Sequence, residues 1–326
     1  MIDFSRPSVV ISRCIGFDRC RWNGDIISSE LVRRMRDMVD FIPVCPEVEL
    51  GLGVPRDPIR VVRREGEDRL VQPGTHLDLT REAKEFAEGF LDSLPEVEGF
   101  LLKSGSPSCG LEDVKVYPKE ERSALVDKGA GFFGSQVLKR FGDRAVEDES
   151  RLRNFKIAEH FLSKLYALAD LRDSVAEGDL RSMYDFHSRH KLQLMAYNQS
   201  QMREMGRLLA RGKERGIEEV TSEYRERLSR AMARGPRCSS SINVMKHAMG
   251  HFSDRLNAEE KAYFLDSLND YKEGRVPLSV NIAVMRSWIV RFGDDFLRSQ
   301  TFFRPFPPDL LDVEITDSCL TRDYWD

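Results

Sequence analysis

The chain has 326 residues, of which 41% are hydrophobic and 32% charged, and its formal net charge is −4 at pH 7. These proportions describe a soluble globular protein that is long enough for two domains, each with a core of its own. No apolar run approaches the roughly 20 residues of a membrane helix, and the start lacks the layout of a signal peptide, so we expect a cytoplasmic protein with no membrane partner.

In the first third of the chain, three short apolar runs lead to a cysteine. Cys14 and Cys45 directly follow such runs, and Cys109 comes soon after the run 99–103. The β-branched content and the bounding turn residues predict buried strands. Ligands collect at the carboxyl ends of strands in an open parallel sheet, so we expect the three thiols to converge on one metal site.

The segments between these strands predict further elements of the same domain. A helix capped by Ser28 or Ser29 separates the first two strands, which makes a βαβ unit. Residues 60–71 predict a charged hairpin, and Thr80 is a plausible cap for the next helix. We therefore predict an α/β domain over residues 1–150, with a small, Rossmann-like parallel sheet that binds a cluster.

From about Arg151 onward the pattern is helical. Apolar stripes at helical spacing begin at Ile217 and at Ile242, and Asn257 with Glu260 resembles a capping box. We predict an all-α domain over residues 151–326. Between Arg181 and Arg237 there are 13 Lys or Arg against 7 Asp or Glu, a pattern that fits either a polyanion partner or solvated helix faces.

The six cysteines include no Cys-x-x-Cys pair, which weakens a zinc-ribbon interpretation. Three well-separated cysteines can hold a 4Fe-4S cluster and leave one iron without a protein ligand, and such an open iron is a Lewis acid that prefers sulfur donors. Cys20 is either a fourth ligand, which closes the site, or a buried bystander. The sequence leaves the roles of Cys238 and Cys319 open.

Two polar residues near these cysteines are candidates for proton transfer and substrate contact. Glu47 lies two residues beyond Cys45, and Ser106 lies three residues before Cys109. Their carboxylate and hydroxyl can handle protons for the attack of water. Alternatively, Glu47 is a helix cap or a surface carboxylate, and Ser106 is a turn serine ahead of Pro107. We expect the four histidines of two helix pairs to be packed or to face RNA, and not to bind a metal. These pairs are His187 with His190 and His247 with His251.

Three motifs resemble the thiouracil desulfurase family: Cys14-Ile15-Gly16 with Trp22-Asn23-Gly24, Pro43-Val44-Cys45-Pro46-Glu47 with Gly51-Leu52-Gly53-Val54-Pro55-Arg56, and Lys103-Ser104-Gly105-Ser106-Pro107-Ser108-Cys109-Gly110. The second half is similar to a helical domain long known only as a family of unknown function, through Phe186–Lys191, Asn243–His247 and Tyr271–Leu278. Together the two halves resemble the bacterial tRNA 4-thiouridine desulfidases.

That resemblance implies a 4Fe-4S cluster held by Cys14, Cys45 and Cys109, with Glu47 and Ser106 assisting catalysis. It implies removal of sulfur from 4-thiouridine in tRNA, giving uridine and sulfide without net electron transfer. The expected substrate contacts are Lys103, Ser104, Arg189, Lys191, Arg207 and Lys246, with Arg203 and Arg211 as further phosphate-binding candidates. Trp22 stands where most members of the family have tyrosine, an exchange that keeps stacking possible.

Two other functions also fit the sequence. One is a desulfurase of free thiouracil or thiolated nucleosides, in which the helical domain serves assembly. The other is a non-catalytic sensor or RNA-binding protein whose four clustered cysteines close around zinc or a structural cluster. The position of the thiolated base in the tRNA and the oligomeric state do not follow from the sequence.

Overall fold

The structure, a computed structural model, describes residues 4–121 and 123–311. Its contacts divide the chain into two compact units, Arg6–Ala169 and the part from Asp170 onward with the first few residues. The predicted boundary near residue 150 falls just before a long helix, Phe155–Ala176, whose residues up to Ala169 belong to the α/β unit. Cys319 lies outside the described residues.

The strands all belong to the first unit. In chain order they are β1 Ser8–Ser12, β2 Asp40–Val44, β3 Arg60–Arg64, β4 Glu67–Gln72, β5 Leu77–Asp78, β6 Gly99–Leu102, β7 Val114–Tyr117, β8 Asp127–Gly129 and β9 Ala145–Asp148. The helices that accompany them are α1 Glu30–Met35, α2 Pro46–Glu49, α3 Thr80–Asp92, α4 Phe132–Phe141 and the start of α5 Phe155–Ala176.

A parallel sheet in the order β2-β1-β6-β9 carries the strand-end cysteines. Its central strand β1 is buried at Val9, Val10 and Ile11, because the sheet is covered on both faces. The predicted βαβ unit and the small parallel sheet are confirmed. The fourth strand, β9, was not predicted, because its short run ends in Glu147 and Asp148 and shows no apolar pattern.

A second sheet, in the order β5-β4-β3-β7-β8, was foreseen only in part. The predicted hairpin is β3 and β4, which turn through Glu65 and Gly66 with φ of 53° and 84°. The other strands of this sheet have only two to four residues, too few for an apolar pattern to identify them in the sequence. On one face, Val61, Val114 and Val116 pack in a core cluster with Ala83 of α3.

Two helix starts test the capping predictions. Ser29 caps α1, and its side chain accepts a hydrogen bond from the Val32 amide. Thr80 does not cap α3: it is the first residue of that helix, and its hydroxyl accepts a hydrogen bond from the Leu70 amide at 2.9 Å. Asp78, two residues before the helix, accepts a hydrogen bond from the Thr80 amide instead.

The second unit is helical, as predicted. Its helices are α6 Leu180–Ala210, α7 Gly212–Arg215, α8 Ile217–Ala231, α9 Cys238–Gly250, α10 Ala258–Lys272, α11 Leu278–Phe292 and α12 Asp295–Ser299. α6 is kinked at Asn198, where φ and ψ are −157° and 95°. The capping box of Asn257 and Glu260 is present. Within the described residues, we find no helix with the length and apolar character needed to cross a membrane.

Candidate active site

Four cysteines line one cavity of about 620 Å³ in the α/β unit. Cys14 and Cys45 follow β1 and β2, and Cys109 ends the loop that leaves β6. Cys20, in the loop after Cys14, joins them, and all four side chains are buried. The predicted convergence of strand-end thiols is therefore what the fold produces, and Cys20 lies with them.

The first turn of α4 holds the Cys109 loop in place. The amides of Gly131 and Phe133 donate hydrogen bonds to the carbonyls of Gly110 and Ser108 at 2.8 and 2.9 Å. This close approach requires glycine: a Cβ at Gly134 would lie 2.3 Å from the Gly110 oxygen, and one at Gly131 would lie 2.5 Å from the Ser108 oxygen. Backbone contacts between the loop and α4 thus set the position of the Cys109 thiol.

The surroundings of Cys20, Cys45 and Cys109 favour the protonated forms of these three thiols. A hydrogen bond with Cys14 is the main cause that raises the pKa of Cys20 to about 11. The pKa of Cys45 is raised by its hydrogen bond with Cys20 and by burial. Burial raises the pKa of Cys109 to about 12. Such thiols become thiolates when a bound metal supplies positive charge, and they then release their protons.

Glu47 and Arg56 form a buried ion pair at the edge of this cavity. The Arg56 side chain is 3% exposed and that of Glu47 is 14% exposed, and the Nη2 and Oε2 atoms are 2.5 Å apart. Arg56 Nε also donates to the same oxygen at 2.9 Å, and Nη2 donates to the Cys20 carbonyl at 3.0 Å. Arg56 therefore joins the carboxylate to the loop that carries Cys20.

The second carboxylate oxygen of Glu47 faces two serines. Ser106 and Ser108 donate hydrogen bonds to Oε1 at 3.4 and 3.3 Å. The Ser106 hydroxyl also accepts from the amides of Ser108 and Cys109 at 3.2 and 3.1 Å. Ser106 is thus a turn serine that also hydrogen-bonds to Glu47, and its role in catalysis stays a prediction.

Lys103 and Ser104, predicted to contact substrate, line the same cavity and share a carboxylate partner, Glu149. Lys103 Nζ lies 2.8 Å from Glu149 Oε1. The Ser104 amide and hydroxyl donate to the two oxygens of Glu149 at 2.7 and 3.2 Å. Their polar groups are therefore held in place by Glu149 at the cavity wall.

The donor set fits an iron–sulfur cluster. Buried cysteine sulfurs from separate loops, without a tight Cys-x-x-Cys pair, are the soft ligands that such clusters use. Cys14, Cys45 and Cys109 would hold the group, and Cys20 lies beside two of them, because its thiol hydrogen-bonds with those of Cys14 and Cys45. Among the described residues, no three His, Cys, Asp or Glu side chains lie close enough together to hold a single metal ion; a cluster of several irons spreads its cysteine ligands over more than one metal.

The predicted phosphate contacts of the helical unit differ in their surroundings. Arg189 pairs with Asp170, and Arg207 pairs with Glu204, at 2.7 and 2.6 Å. Lys191 and Lys246 are exposed, and the Lys191 ammonium lies 6.0 Å from the centre of the Phe296 ring. Exposure makes these residues available to a partner, and their role in binding RNA stays a prediction.

Three histidines of the helical unit have protein partners. His187 Nδ1 lies 2.9 Å from the Tyr224 hydroxyl, and burial lowers the pKa of His187 to about 4. His190 is buried, with Nε2 2.7 Å from Asp170. His251 lies 3.2 Å from Asp294 and stacks on Phe296. His187 and His190 are packed, as expected.

Sequence reasoning missed Arg56, Ser108 and Glu149. Arg56 ends the glycine-rich stretch after Cys45, in which Gly51 and Gly53 take left-handed φ values of 78° and 69°. Those glycines mark a tight loop, but spacing alone does not say that its last residue returns to Glu47. Glu149 follows the unpredicted strand β9, so nothing in the sequence connected it with Lys103.

Fold and site together define a thiol-centred α/β domain joined to a helical unit. The model of the 2-thiouracil desulfurase family matches residues 9–149, and that of a protein family of unknown function, DUF1722, matches residues 191–307. The chain belongs to the 2-thiouracil desulfurase family through its first part and carries a DUF1722 region in its second.

Two relatives come from well-known bacteria. The uncharacterized protein YbgA of Escherichia coli (strain K12) is 24% identical over 148 residues, which is 45% of this chain and 88% of that protein. The uncharacterized protein YbbK of Bacillus subtilis (strain 168) is 30% identical over 111 residues, 31% of this chain and 72% of that protein. A solved structure of the 4Fe-4S-dependent thiouracil desulfidase TudS is 28% identical, with a TM-score of 0.36, and the match covers 45% of this chain and 94% of that one.

Proposed function

We propose that this protein is a 4Fe-4S-dependent desulfidase that converts 4-thiouridine in tRNA to uridine and sulfide. The observation that carries the proposal is the meeting of four buried thiols with the Glu47 and Ser106 pair in one cavity. Membership of the 2-thiouracil desulfurase family supports the class of reaction. The tRNA substrate rests on the sequence resemblance and on the exposed cations of the helical unit.

In this proposal Cys14, Cys45 and Cys109 hold the cluster, and when bound it supplies a soft Lewis acid for the departing sulfur. Replacement of C=S by C=O takes up one water and releases one sulfide, so the reaction needs proton transfer and no reductant. The cavity must therefore contain a group that accepts a proton from water and returns it.

Glu47 Oε1 is the atom suited to that proton. Arg56 binds only Oε2, and the donors to Oε1 are the weaker, longer contacts of Ser106 and Ser108. A water that approaches Oε1 can replace a serine hydrogen bond without breaking the ion pair. The freed serine hydroxyl can then donate to the oxygen or nitrogen of the pyrimidine ring, which orients the base.

The helical unit supplies the candidates for tRNA contact. Lys191, Arg203, Arg211 and Lys246 are exposed, and exposed cations suit phosphates, whose binding falls as salt rises. If the unit binds tRNA, reversing these four charges should weaken binding by at least tenfold and flatten its salt dependence. Unchanged affinity and salt slope would assign the unit another role.

The first experiment measures iron, acid-labile sulfide and the visible spectrum of protein purified without oxygen. We expect about four irons and four sulfides per chain. Desulfidation of thiolated tRNA, 4-thiouridine and 2-thiouracil is then compared, with released sulfide as the readout. Faster turnover of the free base than of tRNA would favour a free-base desulfurase, and zinc without labile sulfide after attempted reconstitution would contradict the enzyme mechanism.

A further inference from the structure

The second sheet turns one face toward the thiol cavity, and that face is cationic. Strand residues alternate between faces: Val114 and Val116 of β7 enter the core cluster beside α3, so Lys115 and Tyr117 take the other side. Lys115, Tyr117, Lys128 and Arg60 all line the cavity. We call these four residues the cationic sheet face.

Within this face two lysines stand directly opposite each other. Lys115 of β7 and Lys128 of β8 are register partners in an antiparallel pair. Side chains of such partners lie on the same side of a sheet with their Cβ atoms about 5 Å apart, and like charges in this position destabilise the pair. Both lysines are exposed, and neither forms an ion pair with any residue that the structure describes.

The other charges of the cavity do not neutralise the two lysines. Among the described residues that line it, seven are Arg or Lys and two are Asp or Glu. Of these two, Glu47 is paired with Arg56, and Asp113 accepts a hydrogen bond from the Gly105 amide at 2.7 Å. Arg60 lies over the Tyr117 ring at 4.7 Å and donates to the Glu120 carbonyl.

We propose that Lys115 and Lys128 form a subsite for the phosphate of a nucleotide whose base enters the thiol cavity. A phosphate between the two ammonium groups replaces their repulsion by two charge-assisted contacts. This inference rests on the proposed function and assigns Lys115 and Lys128 as the residues that hold a phosphate of its substrate. The phosphate can belong to a mononucleotide or to the backbone of an RNA, because the chemistry of recognition is the same.

The test uses the full chain, reconstituted without oxygen, and a double variant, Lys115→Gln with Lys128→Gln. Binding of uridine 5′-monophosphate, uridine and tRNA is measured by calorimetry or anisotropy over a series of salt concentrations. The matched control is Lys84→Gln with Lys139→Gln, two exposed lysines on α3 and α4 outside the cavity lining. Thermal unfolding followed by circular dichroism verifies that each variant is folded.

We expect the double variant to bind uridine 5′-monophosphate about tenfold more weakly and uridine equally well. The slope of log affinity against log salt should become shallower by roughly one for each lysine that no longer binds a phosphate. An effect on tRNA alone would identify the phosphate as part of a polynucleotide. Unchanged affinity for both phosphate-bearing probes, or an equal weakening for uridine, would overturn the subsite.

The same variants separate this inference from the proposed function. Binding of the unreactive uridine 5′-monophosphate does not require turnover, so it reports on the lysines even if no thiolated substrate is desulfidated. If the double variant turns over 4-thiouridine with an unchanged KM but 4-thiouridine 5′-monophosphate with a raised KM, both the lysine subsite and the proposed function are supported. Absence of sulfide release from every substrate would contradict the proposed function alone.

Discussion

Arg56 binds Glu47 through a single carboxylate oxygen, Oε2, and thereby leaves Oε1 facing Ser106 and Ser108. The pair is buried, and the same guanidinium reaches the Cys20 carbonyl. One arginine therefore fixes both the direction of the carboxylate and the loop beside the thiols. The planar fork of arginine suits this double task in a way that the single ammonium of lysine does not.

Arg56→Lys should therefore lower kcat by about two orders of magnitude, because a displacement of about 1 Å at a reacting group has that effect. Cluster content should stay near that of the parent, since the thiols are untouched. Steady-state sulfide release measures kcat, and the iron content of the protein measures how much cluster is present. Arg33→Lys, at an exposed pair with Glu30, is the control, and parent-like kcat in Arg56→Lys would contradict the positioning role.

Glu47→Gln tests the carboxylate itself. The amide keeps the size of the side chain but no longer accepts a proton, so kcat should fall by about 10²- to 10⁴-fold. Glu49→Gln is the matched control, because Glu49 lies on the same short helix and pairs with Arg13 at the surface. If both variants retained full turnover with a loaded cluster, Glu47 would not be the proton acceptor.

Cys20 decides whether the centre has an open position. If three cysteines hold the cluster, Cys20→Ala should retain about four irons per chain, whereas Cys14→Ala, Cys45→Ala and Cys109→Ala should each lose most of the iron and labile sulfide. Cys238→Ala, in the helical unit, is the control for removal of a thiol. Loss of iron from Cys20→Ala as complete as from the other three would indicate a closed site.

Two glycine-to-alanine substitutions should have opposite effects on stability, because Gly134 lies in the contact between α4 and the Cys109 loop and Gly89 lies outside it. Gly134→Ala inserts a Cβ 2.3 Å from the Gly110 oxygen, so it should destabilise the protein by about 1–3 kcal/mol and reduce cluster content. Gly89→Ala, on the exposed side of α3 with open space around it, should stabilise by about 0.5–1 kcal/mol. Urea unfolding measures both, and equal effects would contradict the contact.

The lowered pKa of the Asp170 carboxyl should make the stability of the helical unit depend on pH. Burial tends to raise the pKa of this carboxyl, but His190 and Arg189 lower it more, so the net shift is downward. The stability from this shift is present above the unfolded pKa of about 3.9 and is lost as the pH falls through the folded value.

Asp170→Asn should therefore cost about 1–3 kcal/mol at pH 7, and the difference from the parent should narrow below about pH 4. Urea unfolding at several pH values, followed by helical circular dichroism, measures it. Asp173→Asn, at an exposed pair with Arg172, should change little. A deficit that is independent of pH would show that the carboxylate charge is not responsible.

The sequence by itself determined the local features of this protein. The apolar runs before Cys14 and Cys45 predict β1 and β2, because short β-branched runs bounded by turn residues are typical of strands. Parallel strands end at one edge of a sheet, so the convergence of the cysteines also followed. Helical stripes and the Asn257 capping box identified the second unit, since both depend on spacings of three or four residues.

Only the tertiary structure decided which polar groups meet. Arg56 reaches Glu47 through a loop whose path depends on left-handed glycines and on the packing of the whole unit. Lys115 and Lys128 face each other because of the register of β7 and β8, two strands of four and three residues whose pairing the sequence does not indicate. Glu149 meets Lys103 across a strand that sequence periodicity does not indicate. Contacts between distant segments depend on register and packing, and those are properties of the folded chain alone.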